Sequence, residues 1–259
     1  MSRKVALITG ASAGLGEQFA QRFARGGHDV ILVARTASKL EALASKLEQE
    51  HQVKAHVLAV DLSRPEAPQR LFEEVRERQL EVEFLVNNAG YGSSGPFLDQ
   101  DLAREAEMVE LNCTALMKLT HLFARPMRER RSGRILNVAS TAGFQPGPYM
   151  ATYYATKAFV VSFSEALAYE LKGSGVTVTC SCPGATQTEF ALRSGTEKSR
   201  LFQRPGVAKA PDVAADAYGA MMKGRVLKIH GALNWLGAVG TRFTPRALVR
   251  SIAANLNRQ

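Results

Sequence analysis

Short apolar runs rich in β-branched residues alternate with longer amphipathic stretches along this 259-residue chain. The amphipathic stretches have apolar residues at helical spacing, as in Leu15, Phe19 and Phe23, and again over residues 40–47 and 71–78. Strands that alternate with helices form βαβ units, in which the strands lie parallel. The pattern therefore predicts an α/β fold: a doubly wound parallel sheet of about seven strands with helices on both faces. The predicted strands are residues 5–9, 30–34, 55–60, 82–87, 134–139, 176–182 and, less strongly patterned, 226–230.

The chain shows no internal repeat and no linker rich in Pro, Gly or Ser. We therefore expect a single domain over residues 1–240. A basic amphipathic helix over residues 241–259 is expected either as part of that domain or associated with its surface.

The positive charge of the chain is concentrated near its end. Residues 193–259 contain twelve Lys or Arg against three acidic residues, which accounts for the whole net charge of +9. Charge confined to one segment, with no RNA-stacking motif or helix-turn-helix pattern, gives no reason to expect nucleic-acid binding.

The apolar segments and the cysteines indicate in which cellular compartment the protein is expected. The apolar segment before Thr9 is too short for a signal-peptide core, and no apolar run reaches the roughly 18 residues of a membrane span. Three cysteines, an odd number, fit a reducing compartment, and no Cys or His pattern indicates a metal site. We therefore expect a cytoplasmic protein, with Cys180 and Cys182 as buried thiols.

A glycine-rich segment, TGASAGLG at residues 9–16, follows the first predicted strand and opens the first predicted helix. Glycines allow a tight turn and a close approach of the backbone to a pyrophosphate, whose charge the helix N-terminus favours. The spacing differs from G-x-G-x-x-G, the commonest dinucleotide fingerprint, so a simple tight turn stays an alternative. A dinucleotide phosphate site is the favoured interpretation.

The end of the second predicted strand indicates which dinucleotide is bound. An NAD site usually has a carboxylate here for the ribose 2′-hydroxyl, whereas an Arg can hold the 2′-phosphate of NADP. Ala34 offers no carboxylate, Arg35 offers a guanidinium, and Lys39 adds a second positive charge. NADP(H) is the predicted cofactor; the alternative is that Arg35 is a solvated residue at the helix entry.

Tyr153 and Lys157 are one helical turn apart, so both side chains can project from one face of a helix. A nearby ammonium favours the phenolate and lowers the pKa of a tyrosine, which predicts acid–base chemistry. A Tyr and a Lys at this spacing also occur by chance on solvated helices, so the pair alone is a weak signal.

Together and in this order, these motifs resemble those of the short-chain dehydrogenases/reductases, a family of Rossmann-fold enzymes, over nearly the whole chain. The resemblance is to the NADP-dependent type and, through NVASTAGFQPGPY at residues 137–149, to its bacterial DltE-like branch. It implies a catalytic tetrad of Asn112, Ser140, Tyr153 and Lys157. The cofactor-binding residues that it implies are Gly10, Ser12, Ala13, Gly14, Leu15, Gly16, Arg35, Lys39, Asp61, Leu62, Asn88, Ala89, Gly90, Tyr153, Lys157, Pro183, Gly184, Thr186 and Thr188.

The resemblance also implies a reaction. NADPH delivers hydride to a carbonyl carbon, Tyr153 gives a proton to the oxygen, and Ser140 holds that oxygen; in oxidation the Tyr153 phenolate is the base. Lys157 would lower the pKa of Tyr153 and bind the nicotinamide ribose. Asn112, through the backbone of a locally interrupted helix, would hold a water that links Lys157 to solvent. Tyr154 does not match the family spacing and is expected to pack.

In this family the substrate lies between the segments after the fourth and fifth strands and a lid, here about residues 185–206. The apolar residues of these segments favour an apolar or bulky carbonyl substrate, although about half of them are expected to fill the core. Polar residues around Gly195 favour a mobile lid. The expected wall residues are Tyr91, Phe97, Phe144, Tyr149, Met150, Phe190, Leu192, Leu201 and Phe202. An anionic tail such as an acyl carrier is an alternative, through Arg193, Lys198, Arg200 and Arg204.

Two sets of residues recur every fourth position near the end of the chain. On one helix they would form a basic stripe beside an apolar one, the pattern of a surface-seeking helix. A peripheral membrane or acidic-partner contact is one hypothesis, and packing on its own domain or another subunit is the favoured one. The family resemblance implies a homodimer or homotetramer. The two sets are Arg242, Arg246 and Arg250, and Leu248, Ile252 and Leu256, with Trp235 and Leu236 just upstream.

Three classes of function fit these observations: an NADPH-dependent carbonyl reductase or alcohol dehydrogenase, a non-catalytic NADP(H)-sensing protein on the same fold, and a basic interaction protein. A sensor has no need of a proton relay, and the complete tetrad therefore favours the enzyme. We predict an oxidoreductase that interconverts a ketone or aldehyde and an alcohol on a small molecule.

Overall fold

Seven parallel strands form the central sheet of the protein, seen in a computed structural model that describes residues 4–197, 199–203 and 207–258. Their number and direction confirm the prediction. A second, two-stranded sheet pairs the two short strands of the lid region. In chain order the strands are β1 (Val5–Thr9), β2 (Asp29–Ala34), β3 (Ala55–Ala59), β4 (Val82–Asn87), β5 (Gly133–Val138), β6 (Val176–Cys182), β7 (Thr186–Gln187), β8 (Ala208–Lys209) and β9 (Leu227–Ile229).

The strand order in the central sheet is β3-β2-β1-β4-β5-β6-β9. The chain builds outward from β1 through β2 and β3, returns to the other edge of β1 with β4, and then builds in the opposite direction. The two halves diverge at β1 and β4, so a crevice opens beyond the carboxyl ends of these strands. In open α/β sheets, ligands bind at such a point.

Helices cover both faces of the sheet. A π-helix spans Glu110–Ala115, and short 3-10 turns occupy Phe97–Asp99 and Thr141–Phe144. The α-helices are α1 (Gly14–Arg25), α2 (Ala37–His51), α3 (Ala67–Glu77), α4 (Leu102–Val109), α5 (Leu116–Glu129), α6 (Ala151–Glu170), α7 (Phe190–Ser194), α8 (Ala210–Met222), α9 (Ala232–Gly240) and α10 (Arg246–Asn257).

The strands divide their side chains between two cores because successive residues of a strand point to opposite faces. On β1, Ala6 and Ile8 join the core under α1, α2 and α8, whereas Leu7 joins the core under α3 and α5. Both faces of the sheet are covered, which explains why the strands are unbroken apolar runs in the sequence rather than alternating ones.

The C-terminal segment forms two helices rather than one. α9 ends at Gly240, and α10 begins at Arg246, directly after Pro245. Proline has no N–H and a fixed φ, so it is suited to a helix start and unsuited to a helix interior. Arg242 therefore lies in the turn between the helices, and the predicted basic stripe along one helix is wrong.

The buried face of α10 also differs from the predicted one. Val249, Ala253 and Asn257 are buried, whereas Leu248 and Ile252 of the expected apolar stripe are 52% and 51% exposed. The two stripes differ by a single residue in register. These three buried residues pack the helix on its own domain.

Among the described residues, no helix combines the length and apolar character needed to cross a bilayer. In the same part of the chain, no cluster of three or more His, Cys, Asp or Glu side chains is placed to bind a metal ion. Cys113, Cys180 and Cys182 are buried and form no disulfide.

Candidate active site

Glycine determines the conformation of the loop between β1 and α1. Gly10 and Gly14 have φ angles of 68° and 60°, in the left-handed region that residues with a Cβ rarely adopt. A Cβ atom at Gly16 would lie 2.1 Å from the carbonyl oxygen of Gly10. Because α1 begins at Gly14, the unpaired N–H groups of its first turn lie beside this loop, an arrangement that binds phosphate.

Thr9 joins the carboxyl ends of β1 and β4. Its Oγ1 accepts hydrogen bonds from the N–H groups of Asn88 and Ala89, both at 2.9 Å, and donates to the Val86 carbonyl at 3.2 Å. Asn88 Nδ2 donates in return to the Thr9 carbonyl, at 2.9 Å. These bonds hold the glycine loop against residues 88–90. This role of Thr9 was not predicted from the sequence, in which Thr9 is the last residue of the first predicted strand and the first residue of the glycine-rich segment.

A cavity of about 890 Å³ opens at the crevice between the two halves of the sheet. Two of the predicted cofactor residues do not line it: Gly16 and Lys39, which forms an exposed ion pair with Glu189 at 3.9 Å. Arg35 lines the cavity and is exposed there. The predicted cofactor residues that line it are Gly10, Ser12, Ala13, Gly14, Leu15, Arg35, Asp61, Leu62, Asn88, Ala89, Gly90, Tyr153, Lys157, Pro183, Gly184, Thr186 and Thr188.

Tyr153 lies in the first turn of α6, with its ring against those of Phe190 and Tyr154 at centroid distances of 5.3 and 6.2 Å. Burial raises the pKa of Tyr153 well above its usual value, and a hydrogen bond with Ser140 opposes part of that rise. Lys157 was expected to lower this pKa. The net shift of the Tyr153 pKa is upward instead, because desolvation of the phenolate dominates. A phenol that stays protonated at neutral pH is a proton donor.

The Lys157 ammonium lies on the same side of α6 as Tyr153. Its Nζ is 5.7 Å from the centre of the Tyr153 ring and donates to the Val138 carbonyl at 2.9 Å. Burial lowers the pKa of Lys157 to about 8, while the neighbouring thiols, Cys113 foremost, act to raise it. The predicted pair therefore shares one wall of the cavity, and both groups have perturbed pKa values, as is common at functional sites.

Ser140 lies between the end of β5 and the 3-10 turn that follows it. Its Oγ accepts a hydrogen bond from the Ala142 N–H at 3.1 Å and donates to the Pro183 carbonyl at 3.3 Å. These contacts orient the Ser140 hydroxyl beyond the carboxyl ends of β5 and β6, where Ser140 and Pro183 both line the cavity.

Asn112 lies in the π-helix between α4 and α5, so the predicted interruption of a helix is present at this residue. π-helical turns often mark functional sites, because they disturb the regular i to i−4 hydrogen bonds. The Asn112 side chain bonds to both backbone groups of Tyr91 and donates to Thr156 Oγ1 at 3.1 Å. Asn112 is buried and does not line the cavity.

A buried polar network fixes α6 to the sheet. Asn87 Nδ2 donates to Thr120 Oγ1 and to Asn137 Oδ1, both at 2.9 Å, and Asn137 Nδ2 donates to Ser164 Oγ at 3.0 Å. The network thereby links β4, β5, α5 and α6. These partners were not predicted from the sequence, although an Asn at or next to the end of each of the two strands, β4 and β5, was a signal.

The predicted substrate wall is present in part. Tyr91, Met150, Phe190, Leu201 and Phe202 line the cavity. The other four predicted wall residues do not: Phe97 and Leu192 are exposed, Phe144 packs against a core cluster, and Tyr149 accepts hydrogen bonds from Arg258. About half of the nine were expected to fill the core, but of the four that do not line the cavity only Phe144 packs against a core cluster.

The two described basic residues of the predicted lid, Arg193 and Arg200, both have partners, and Arg193 also lines the cavity. Arg193 pairs with Glu189, and Arg200 donates to Asn255 Oδ1 at 2.6 Å. Lys198 and Arg204 lie outside the described residues. Tyr154 and Leu256 line the cavity, although Tyr154 was assigned to packing alone and Leu256 to the outer stripe of the C-terminal helix.

The chain is similar to a known protein family, to several proteins of that kind and to solved structures. The family model for the short chain dehydrogenases matches residues 4–199. The very-long-chain 3-oxoacyl-CoA reductase of Neurospora crassa is 42% identical over 178 residues, which are 67% of this chain and 53% of that protein. This chain thus spans about half the length of that relative.

Two further proteins are similar over most of their length. Sulfoacetaldehyde reductase 2 of Chromohalobacter salexigens is 37% identical over 216 residues, which are 81% of this chain and 85% of that protein. A solved structure of a short-chain dehydrogenase from Sphingobium yanoikuyae in complex with NADPH superposes with a TM-score of 0.83. It is 36% identical and covers 93% of this chain and 94% of that chain.

Proposed function

This chain belongs to the short chain dehydrogenase family, and from that premise we propose that it uses NADPH to reduce an apolar or bulky ketone or aldehyde to an alcohol. Family membership gives the coarser class, an oxidoreductase of carbonyl or CH–OH groups with a nicotinamide cofactor. One observation carries the finer proposal. Ser140, Tyr153 and Lys157 line the same cavity as the glycine loop and Arg35.

The residues of the crevice fit a dinucleotide with a 2′-phosphate. The glycine loop has no Cβ atoms at Gly10 and Gly14, so its backbone is open to a close approach by a pyrophosphate. Arg35 would hold the 2′-phosphate at the exposed end of the cavity, where the guanidinium fork suits phosphate oxygens. The relative from Sphingobium yanoikuyae, solved with NADPH, supports this choice. The proposed adenine contacts are Asp61 and Leu62, and the proposed nicotinamide contacts are Pro183, Gly184 and Thr188. Further proposed cofactor contacts are Asn88, Ala89, Gly90 and Thr186.

When bound, NADPH supplies the hydride for the carbonyl carbon. Tyr153 donates the proton to the carbonyl oxygen, and its raised pKa keeps the phenol protonated at neutral pH, which is the form that reduction requires. The Ser140 hydroxyl would hold the same oxygen, and Lys157 would bind the nicotinamide ribose. Asn112, through the backbone of the π-helix, would hold a water that links Lys157 to solvent.

The apolar lining supports an apolar substrate. Met150, Phe190, Leu201 and Phe202 offer no charge, and cavities of this size and lining hold small molecules. The names of two relatives, a 3-oxoacyl-CoA reductase and a sulfoacetaldehyde reductase, both describe reduction of a carbonyl compound.

We also propose three wider features of the protein. The family resemblance implies membership of the NADP-dependent, DltE-like branch and assembly as a homodimer or homotetramer. The apolar segments and the cysteines of the sequence favour a cytoplasmic location. Light scattering on the eluting peak of a size-exclusion column tests the assembly.

The proposed function is tested by following NADPH consumption spectrophotometrically with a panel of ketones, aldehydes, quinones and 3-oxoacyl thioesters, with NADH as the cofactor control. We expect turnover of apolar carbonyl compounds with NADPH and much slower turnover with NADH. Tight NADPH binding without turnover of any member would instead support a non-catalytic sensor.

A further inference from the structure

The first part of α9 is apolar and lies at the surface. Residues 232–237 are exposed at six consecutive positions, and Ala238 is the one buried residue of this helix. A helix that packs along one side buries a residue at about every third or fourth position, so these exposed positions span every side of α9. Asn234 Nδ2 donates to the His230 carbonyl at 2.7 Å and holds the helix to the end of β9. The helix therefore presents apolar side chains to its surroundings.

Exposed apolar side chains are concentrated on α9 and on the outer side of α10. Six of the fifteen large apolar residues that are exposed in the described chain fall within positions 233–252, and each of the six is more than half exposed. The turn of residues 241–245 joins the two helices and carries one of them. Single exposed apolar residues are common on protein surfaces, but a concentration of them marks an interaction site. The six, which we call the C-terminal apolar surface, are Leu233, Trp235, Leu236, Phe243, Leu248 and Ile252.

The same segment carries only positive charge. Asp216 is the last acidic residue of the chain, and residues 217–259 contain seven Lys or Arg. Three of these, Arg242, Arg246 and Arg250, are exposed and fall between the apolar residues in sequence. Exposed Trp, Phe and Leu together with arginine, and without any acidic residue, are typical of segments that lie in the interface of an anionic bilayer.

We propose that the C-terminal apolar surface docks on a bilayer that is rich in anionic lipid headgroups. The apolar side chains enter the boundary between the headgroups and the acyl chains, and the three arginines are attracted to the lipid phosphates. The buried side of α10, with Val249 and Ala253, stays on the domain while Leu248 and Ile252 face outward. The inference is independent of the proposed function, because it concerns a surface that needs neither cofactor nor substrate.

A second copy of the chain matches this surface less well than an anionic bilayer does. In a two-fold contact the same patch faces itself, so the arginines of one copy would approach those of the other. The segment has no acidic residue to pair with them, and like charges across an interface are unfavourable. Anionic lipids supply the missing negative charge, and they are found on the cytoplasmic leaflet of membranes.

Co-sedimentation of the full chain with vesicles tests the proposal. Vesicles of equal parts phosphatidylcholine and phosphatidylglycerol should carry the wild type into the pellet, and vesicles of phosphatidylcholine alone should carry little of it. Added NaCl should release part of the bound protein, because salt screens the attraction. Binding to neither kind of vesicle, or equal binding to both, would overturn the proposal.

Trp235 reports on the docked surface directly, because it is the one tryptophan of the chain. Its fluorescence emission should move to shorter wavelength when the anionic vesicles are added, since the indole leaves water. Sedimentation with the vesicles without this shift would mean that another surface binds them, and the proposal would be wrong.

The double variant Trp235→Ser with Phe243→Ser removes two aromatic side chains from exposed positions. We expect its partition coefficient on the anionic vesicles to fall roughly tenfold or more, because each side chain loses the apolar area that it would bury. The matched control is Leu98→Ser with Tyr169→Ser, at positions that are also exposed but lie elsewhere, and it should bind as the wild type does. If the Trp235 and Phe243 variant binds vesicles normally but forms a smaller oligomer in light scattering, the surface is a contact between copies and the proposal is overturned.

The double variant Arg242→Ser with Arg246→Ser tests the charge. Each arginine near an anionic surface contributes about tenfold or less in affinity, so the partition coefficient should fall roughly ten- to thirtyfold. The control is Lys46→Ser with Lys172→Ser, which removes the same charge from exposed positions outside the segment and should have a much smaller effect. Equal losses in the two double variants would show that net charge, and not this surface, determines binding, and would overturn the proposal.

Discussion

A Cβ atom at Gly16 would lie 2.1 Å from the carbonyl oxygen of Gly10, closer than any pair of non-bonded atoms tolerates. Gly16→Ala must therefore displace the turn between β1 and α1. We expect the free energy of unfolding to fall by about 1–3 kcal/mol and NADPH affinity to fall with it, as measured by urea unfolding and by fluorescence titration. Gly219→Ala is the control, because a Cβ there meets no atom within 4 Å. It should stabilise α8 by about 0.5–1 kcal/mol.

Tyr153→Phe removes the proposed proton donor and little else, since the ring and its packing against Phe190 remain. We expect kcat to fall by a factor on the order of 100–10,000 while the Kd for NADPH stays close to that of the wild type. Tyr169→Phe, on an exposed face of the same helix, should have no effect on either quantity. Normal turnover by Tyr153→Phe would remove this residue from the mechanism.

Arg35→Ser tests the cofactor preference. Loss of a charge-assisted hydrogen bond to the 2′-phosphate should cost about 1.5–3 kcal/mol, so the Kd for NADPH should rise roughly 10- to 100-fold, with little change for NADH. Lys39→Ser is the comparison, because Lys39 pairs with Glu189 and lies outside the cavity. We expect Lys39→Ser to raise the Kd for NADPH less than Arg35→Ser does, which would distinguish the two residues predicted to bind the 2′-phosphate. Equal losses for NADPH and NADH in Arg35→Ser would contradict a role at the 2′-phosphate.

Burial of Lys157 makes stability depend on pH. Its pKa is lowered from 10.5 to about 8, so between these values the unfolded chain binds one more proton than the folded protein. Stability from this group therefore rises with pH in that window, by on the order of 1.4 kcal/mol per pH unit, and is level below it. The difference in unfolding free energy between wild type and Lys157→Met should show this rise in urea titrations. A difference that stays flat from pH 7 to 10 would contradict the lowered pKa.

The fold could be predicted because each strand is buried on both faces and is therefore an unbroken apolar run. In the central sheet, residues 5–9, 82–87 and 176–182 have the predicted bounds, and the other strands differ by one residue at one or both ends, as in β9, which is Leu227–Ile229 rather than 226–230. Such end residues depend on hydrogen bonds to a neighbouring strand, which the local sequence does not specify.

The site was predictable where the backbone conformation requires a particular residue type, as at Gly10. It was much less predictable where a segment distant in sequence determines the partner or the position of a side chain. Lys39 lies near Arg35 in sequence, but Glu189 from the lid pairs with it. Leu256 fits a regular apolar stripe with Leu248 and Ile252, but in the fold it lines the cavity, next to Asn257, which bonds to the distant Tyr154 and Pro148. The pKa of Tyr153 likewise depends on burial that only the folded chain creates.

The pairing of β1 with β4 has a consequence for the order of folding. Thr9 and Val86, whose bond joins the two strands, are 77 residues apart in the chain. Strands β1, β2 and β3 can pair with one another as soon as residue 59 is available, but one edge of β1 stays open until β4 arrives. The phosphate loop gains its support from Asn88 and Ala89 only at that later step. Nucleotide affinity therefore appears only after the two halves of the sheet have joined, so NADPH binding during refolding would report that event.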